Sequence, residues 1–155
     1  MTQLNSPDSQ EALPCLMIPT QGKNIILPNV TVAEVVSFED PEVVDNAPKW
    51  FLGFIQWRGT QVPLISFELA NSQIHGQNSG SARIAVLNGT TGNPRMPFFA
   101  MVIQGIPRMV RVSESDLQQE DTAVSQAESM VVKTVLGRAF VPNLEFLEGL
   151  LAKVI

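Results

Sequence analysis

Few residues in this chain are suited to covalent chemistry. Among 155 residues there is one histidine, His75, one cysteine, Cys15, and no tyrosine. An imidazole acting as a general base needs a nucleophile and an orienting acid beside it. His75 instead sits in NSQIHGQNSGS (71–81), a Gly/Ser/Asn-rich loop, and the chain carries no nucleophile-elbow motif. It reads as an exposed loop histidine. Cys15 cannot form an internal disulfide, and with His75 the sole nitrogen ligand it cannot anchor zinc. Within LPCLMIP it reads as a small buried hydrophobe. The carboxylates gather in two polar stretches, Glu39, Asp40, Glu42 and Asp45 in one and Glu114, Asp116, Glu120 and Asp121 in the other. Neither stretch sets the separation that paired acid–base work demands, and neither has calcium-loop spacing. No phosphate-binding loop or dinucleotide fingerprint occurs. The expectation is no catalytic residue, no metal and no cofactor.

Composition narrows the partners. The chain is 45% hydrophobic and only 16% charged, against about 25% charged in an average soluble domain. Its net charge is −5 and its ten basic residues are scattered, so it lacks the basic footprint of a nucleic-acid binder and has no attraction to an anionic membrane surface. MTQLNSPDSQEAL has neither the basic nor the apolar region of a secretory leader, and no apolar run approaches the roughly 20 residues that span a bilayer. A cytoplasmic protein without direct membrane insertion is expected. A chain of this length buries about 70% of its unfolded surface, which suits one domain with a proper core.

The elements that position these residues are short. Residues 1–12 have no periodicity and read as a disordered tail. LPCLMIP (13–19) and KNIILPN (23–29), joined by the turn-prone Thr20-Gln21-Gly22, read as an antiparallel hairpin. VTVAEVVSF (30–38) is rich in β-branched residues. If it were extended throughout, Val30, Val32, Glu34 and Val36 would share one face, so either a bend turns Glu34 away or that face is incompletely buried. A proline-containing connector (39–50) follows. FIQWRGTQVPLISF (54–67) then reads as a second hairpin, with Ile55 and Trp57 on one side, Gln56 and Arg58 on the other, and the reversal at Gly59-Thr60. Pro63 cannot donate to a ladder, which predicts an edge strand or a strand start. ARIAVLN (82–88), MPFFAMVIQ (96–104) and PRMVRV (107–112) read as strands, residues 112–129 as acidic surface loop with a short helical turn capped by Ser113 or Ser115, and MVVKTVLGRAFVP (130–142) as two strands around Gly137. The end of the chain places Leu144, Leu147, Leu151 and Val154 at helical spacing behind Asn143, with Lys153 in the last turn. Eight to ten short strands and one terminal helix favour small β-barrels.

Three features are left over: Glu34 on a valine-rich segment, Arg58 at a hairpin tip, and exposed apolar residues around Trp50, Phe51 and Phe54. Tryptophan and arginine are common interface anchors.

The segments VAEVV (32–36), APKWFLGFIQWRGTQVPLISF (47–67), FFAMVIQGIPRMVRV (98–112) and FVPNLEFLEGLL (140–151) resemble the CheW family over about residues 13–155, with R-G-x-x-V-P as the most specific element. Within it the chain looks most like the CheW-like proteins, of the kind called ChpC, in chemosensory systems that govern type IV pilus twitching motility. The resemblance implies a mainly β fold, with two small β-barrel subdomains sharing an apolar core and a C-terminal helix, over residues 13–155 as one domain. It also implies a non-enzymatic adaptor that couples the cytoplasmic tip of a methyl-accepting chemoreceptor to the regulatory domain of a chemotaxis histidine kinase. By resemblance, Arg58 falls on a receptor-sensitive arginine, Val32 and Glu34 on positions lining the same groove between the barrels, and Gly59, Val62 and Pro63 on the turn and return strand that hold the arginine.

There are departures. Ser66 and Gln104 stand where the family usually carries acids, Trp57 replaces an aliphatic residue, and a common Gly-rich stretch before the last helix is missing. The two lost acids bear on kinase binding more than on receptor binding. A small-molecule-binding or enzymatic β-barrel with a site near His75 is the alternative from another class, and a purely structural oligomerisation domain is a third.

Overall fold

Ten short strands and two helices form along the described chain, which in the computed structural model comprises residues 12–73, 78–116 and 124–155. They are β1 (Leu13–Pro19), β2 (Asn24–Pro28), β3 (Val32–Ser37), β4 (Phe51–Trp57), β5 (Thr60–Ile65), α1 (Phe67–Ala70), β6 (Arg83–Asn88), β7 (Phe98–Ile103), β8 (Arg108–Val112), β9 (Glu128–Thr134), β10 (Gly137–Pro142) and α2 (Leu144–Ala152). One five-stranded sheet, in the order β8-β1-β2-β10-β9, comes from the two ends of the chain; the other, β3-β6-β7-β5-β4, comes from its middle. We refer to them as the terminal and middle subdomains. The mainly β, two-subdomain expectation holds, as does the closing helix.

Alternation of side chains across each strand produces three apolar layers. Ile18, Ile25 and Leu27 of the terminal sheet face Ile65, Leu87, Phe99 and Met101 of the middle sheet, and Leu147 and Leu151 of α2 close this shared layer. The alternate residues point the other way. Cys15, Met17, Ile26, Val110 and Val132 form the terminal subdomain's own cluster, and Ile55, Trp57, Val62, Leu64, Ile84 and Val102 form that of the middle subdomain. A strand buried on both faces needs no polar alternation, which is why IAVL in β6 and FAMVI in β7 are continuous apolar runs. By contrast, β8 buries Val110 and Val112 while Arg108, Met109 and Arg111 stay exposed.

Several expectations need correction. Val30 lies in a 3-10 turn (Asn29–Thr31) outside β3, and the register of β3 against β6 shifts between Val32 and Glu34. That bulge puts Val32 against the shared layer and Ala33 and Val36 against the middle cluster, so the single valine face does not exist. Pro63 is in an internal strand, because β5 lies between β7 and β4. It is tolerated because the parallel ladder to β7 is made by Leu64 and Ile65, just beyond the missing donor. Phe51 is buried in the shared layer, with Trp50 and Phe54 packed against it, so these aromatics are core and not an exposed patch. The last helix stops at Ala152, and Lys153 is its C-cap residue.

Buried carboxylates form joints that no motif announces. Glu128 accepts from Lys23 Nζ at 2.5 Å and from Asn71 Nδ2 at 3.0 Å, while Asn71 Oδ1 accepts from the Ala127 amide at 2.9 Å. The Gln21 amide donates to Glu68 of α1 at 2.7 Å. The β1–β2 turn and the start of β9 are thereby tied to α1 of the other subdomain. Glu148 of α2 accepts from the amides of Thr90 and Thr91 and from both of their hydroxyls, which anchors the β6–β7 loop to the helix. Asn143 caps that helix through a 3.0 Å bond from the Phe146 amide to its Oδ1. Losing such a cap costs about 1 kcal/mol, so Asn143→Ala is expected to lower Tm by about 2–4 °C in a thermal melt.

Candidate partner-binding site

The geometry around Arg58 begins with its turn. Trp57 pairs with Thr60, leaving Arg58 and Gly59 as a two-residue loop with φ of 49° and 74°. Two successive positive φ values are the signature of a type I′ hairpin turn, whose first position favours Asn, Asp or Gly. Gly59 meets the requirement freely, with nothing within 4 Å of where a Cβ would sit. Arg58 does not, since a left-handed conformation costs an L-residue with a long side chain about 1–2 kcal/mol. The reversal is therefore at Arg58-Gly59, one residue earlier than the spacing predicts.

β3 and β4 are the opposite edges of the middle sheet, and the curl of that sheet brings β3 to the turn. Trp57 Nε1 donates to Glu34 Oε1 at 2.9 Å, and Arg58 Nη2 lies 3.2 Å from the same oxygen. The guanidinium sits 4.9 Å from the Trp57 ring centroid, and Trp57 meets Phe98 edge-on at 4.8 Å. Side-chain exposure is 69% for Arg58 and 41% for Glu34. A pair that wet contributes at most about 1 kcal/mol, which does no more than offset the strain of the turn. Stability does not account for the arginine; its presentation to solvent, over an indole and beside a carboxylate, is the property left to explain.

The four residues expected to bind a partner do not all converge. Glu34, Arg58 and Gly59 share one end of the middle subdomain, over the Trp57–Phe98 contact. Val32 faces the shared layer on the other side of β3. The cleft between the subdomains, about 480 Å³, is lined by Leu16, Val35, Val36, Ser37, Arg83 and Ile106 among others. Glu34 and Arg58 lie outside that lining, over the end of the middle subdomain's own core. Trp57 is both core and the positioning donor for Glu34. Its place beside Arg58 was legible, but its contact with a residue 23 positions earlier was not. Trp57→Phe keeps most of the packing and removes the indole donor. We expect a loss of about 1–2 kcal/mol, read as a fall in the thermal midpoint.

The two positions that depart from the family pattern have local structural roles. Ser66 caps α1, its hydroxyl accepting from the Leu69 amide at 3.2 Å. Gln104 accepts from the Ser79 amide at 2.8 Å and donates to Asn78 at 3.0 Å, holding residues 78–81 against the end of β7. Ser113 and Asp116 close the expected helical turn, the Ser113 amide donating to Asp116 Oδ2 at 2.8 Å. His75, Glu120, Asp121 and residues 1–11 of the tail lie outside the described residues, so the alternative site near His75 lies outside them too. Among the described residues no group of three or more His, Cys, Asp and Glu could hold a metal ion, and no helix is long and apolar enough to cross a membrane.

The fold is two five-stranded sheets sharing one apolar layer, with Arg58 displayed on a hairpin tip beside Glu34 of β3. Residues 14–140 match the model of the CheW-like domain, and the chain belongs to that family, which makes it a chemotaxis scaffold or adaptor. The fold is similar to the crystal structure of the scaffolding protein TtCheW from Thermoanaerobacter tengcongensis. The TM-score is 0.76 over 88% of this chain and 92% of that one, at 17% sequence identity. At that identity the likeness is one of fold. No curated protein matches the chain.

Proposed function

We propose that residues 13–155 act as one domain that couples the cytoplasmic tip of a methyl-accepting chemoreceptor to the regulatory domain of a chemotaxis histidine kinase, with Arg58 as the principal receptor contact, Glu34 as its orienting partner and Gly59 as the residue that permits the turn. Val32 contributes from within, by fixing β3 against the shared layer. The observation that supports this reading is Arg58 itself: a strained backbone holds a wet guanidinium where a turn-optimised Asn would be more stable, and strain of this kind is retained where function requires it. Charged groups at such an interface set register and orientation, while apolar area supplies most of the affinity. The protein then works in the cytoplasm, recruited to membrane-bound receptor arrays, and neither nucleic acid nor a cofactor takes part. By its likeness to the ChpC kind, the output is type IV pilus twitching motility.

The test is to mix the purified protein with a receptor-tip fragment and, separately, with the kinase regulatory domain, and to measure each binding by calorimetry. Binding to both is expected. Binding to neither overturns the proposal, and binding to one alone reduces the adaptor to an accessory of that partner. A deletion strain that twitches normally would remove the pilus assignment alone.

A further inference from the structure

Among the described residues, the terminal subdomain leaves open space. A cavity of about 430 Å³ opens inside it, walled by Cys15 of β1, Ile26 of β2, Val112 of β8, Val132 of β9 and Val141 of β10. Leu13 and Glu114 also line it and are exposed, with Ser113 half-buried between β8 and Glu114, so these three mark its mouth. The volume is nearly three times the ~150 Å³ that accepts benzene in an engineered apolar cavity, and it falls within the range of about 300–1,000 Å³ typical of small-molecule sites. Among the described residues, water inside would find polar side chains only at the mouth, whereas a stable internal water needs about 2–4 polar partners. Burial pushes the Cys15 thiol up, so the wall carries no charge at neutral pH. Among the described residues the single charged group on the lining is the carboxylate of Glu114, which disfavours an anionic head and favours a hydrogen-bond donor.

We propose that the interior of the terminal subdomain binds a small, uncharged, largely apolar molecule of about two aromatic rings bearing an N–H donor, an arylamine in chemical class. Its rings lie against Cys15, Ile26 and Val132, and its donor meets Ser113 and Glu114 at the mouth. This gives the scaffold a small-molecule input of its own, at a site separate from Arg58 and independent of the receptor reading.

The probe is N-phenyl-1-naphthylamine, titrated into the full chain. A saturable, one-site rise in fluorescence is expected. Val132→Phe, which fills the cavity, and Leu13→Trp, which plugs its mouth at an exposed position where folding tolerates the change, are each expected to weaken binding by about tenfold or more. The anionic analogue 8-anilino-1-naphthalenesulfonate is expected to bind about tenfold more weakly than the amine, and Glu114→Gln to narrow that gap. Absence of saturable binding overturns the proposal. So does binding that survives both Val132→Phe and Leu13→Trp, which would place the probe elsewhere on the surface, and so does equal affinity for the sulfonate.

Discussion

Arg58→Asn is expected to yield a protein that is more stable than the parent and binds a receptor tip at least about tenfold more weakly. The two effects have one cause. Arg58 occupies the first central position of a type I′ turn at φ 49°, where Asn tolerates the left-handed conformation that an unbranched charged side chain does not. Relief of that strain outweighs the loss of an ion pair whose members are 69% and 41% exposed, giving a net gain of about 0.5–1 kcal/mol and a Tm higher by about 1–4 °C. Removing the guanidinium also removes the displayed charge, so receptor affinity should fall by at least about tenfold, or about 1.4 kcal/mol. Arg58→Glu should abolish pull-down altogether, because it places a second carboxylate beside Glu34. It removes the exposed pair and leaves the turn strain in place, so folding should lose about 1 kcal/mol while the protein stays folded. Calorimetric binding and thermal unfolding measured on the same preparations decide the matter. Asn at position 58 with unchanged receptor affinity would show the arginine to be turn punctuation only.

Gly53→Ala carries the largest expected cost in stability. Gly53 has φ of 129°, and a Cβ there would lie 2.2 Å from the Glu42 carbonyl oxygen and 2.8 Å from its carbon. Those are main-chain atoms and cannot rotate aside. The contact is close because the connector runs along β4 at this point: the Glu42 amide donates to the Phe54 carbonyl at 2.8 Å, and the Phe54 amide donates to the Glu42 carbonyl at 3.0 Å. Together these two bonds cover the outer edge of β4, which would otherwise be an open template for strand addition. A methyl group must therefore break the bridge or distort the strand, and the positive φ adds strain of about 1–3 kcal/mol. With two bonds of about 1 kcal/mol each at stake, the expected loss is about 3 kcal/mol or more. It should appear as a Tm lower by about 6–12 °C and as a tendency to self-associate through the uncovered edge in light scattering. A variant that melts with the parent would show that the connector is not held as described.

Much of this fold was legible because short strands buried on both faces leave uninterrupted apolar runs, and turn residues punctuate them. β1, β2, β6, β7, β8 and β10 lie where LPCLMIP, KNIILPN and their later counterparts place them, β9 starts two residues earlier by drawing Glu128 and Ser129 out of the expected surface loop, and Asn143 caps the helix that its spacing predicts. The errors fall where neighbours across the sheet decide the outcome. The bulge at Ala33 depends on register against β6, and the tolerance of Pro63 depends on where the ladder to β7 begins. The buried roles of Glu68, Glu128 and Glu148 depend on partners up to 105 positions away, and such pairing leaves no trace in local spacing.

The site divides in the same way. The sequence alone determined that an arginine stands at a hairpin tip followed by a glycine, in a chain poor in charge and without a catalytic constellation, because period-2 alternation and a glycine able to take positive φ are local properties. Only the tertiary structure decided that this arginine shares one carboxylate oxygen with an indole, that Glu34 joins it while Val32 turns away, and that both charges stand over the end of the middle subdomain's core. Those outcomes follow from the curl of the middle sheet, whose order puts β3 and β4 at opposite edges, so that residues more than twenty positions apart meet where the sheet wraps round its own apolar cluster.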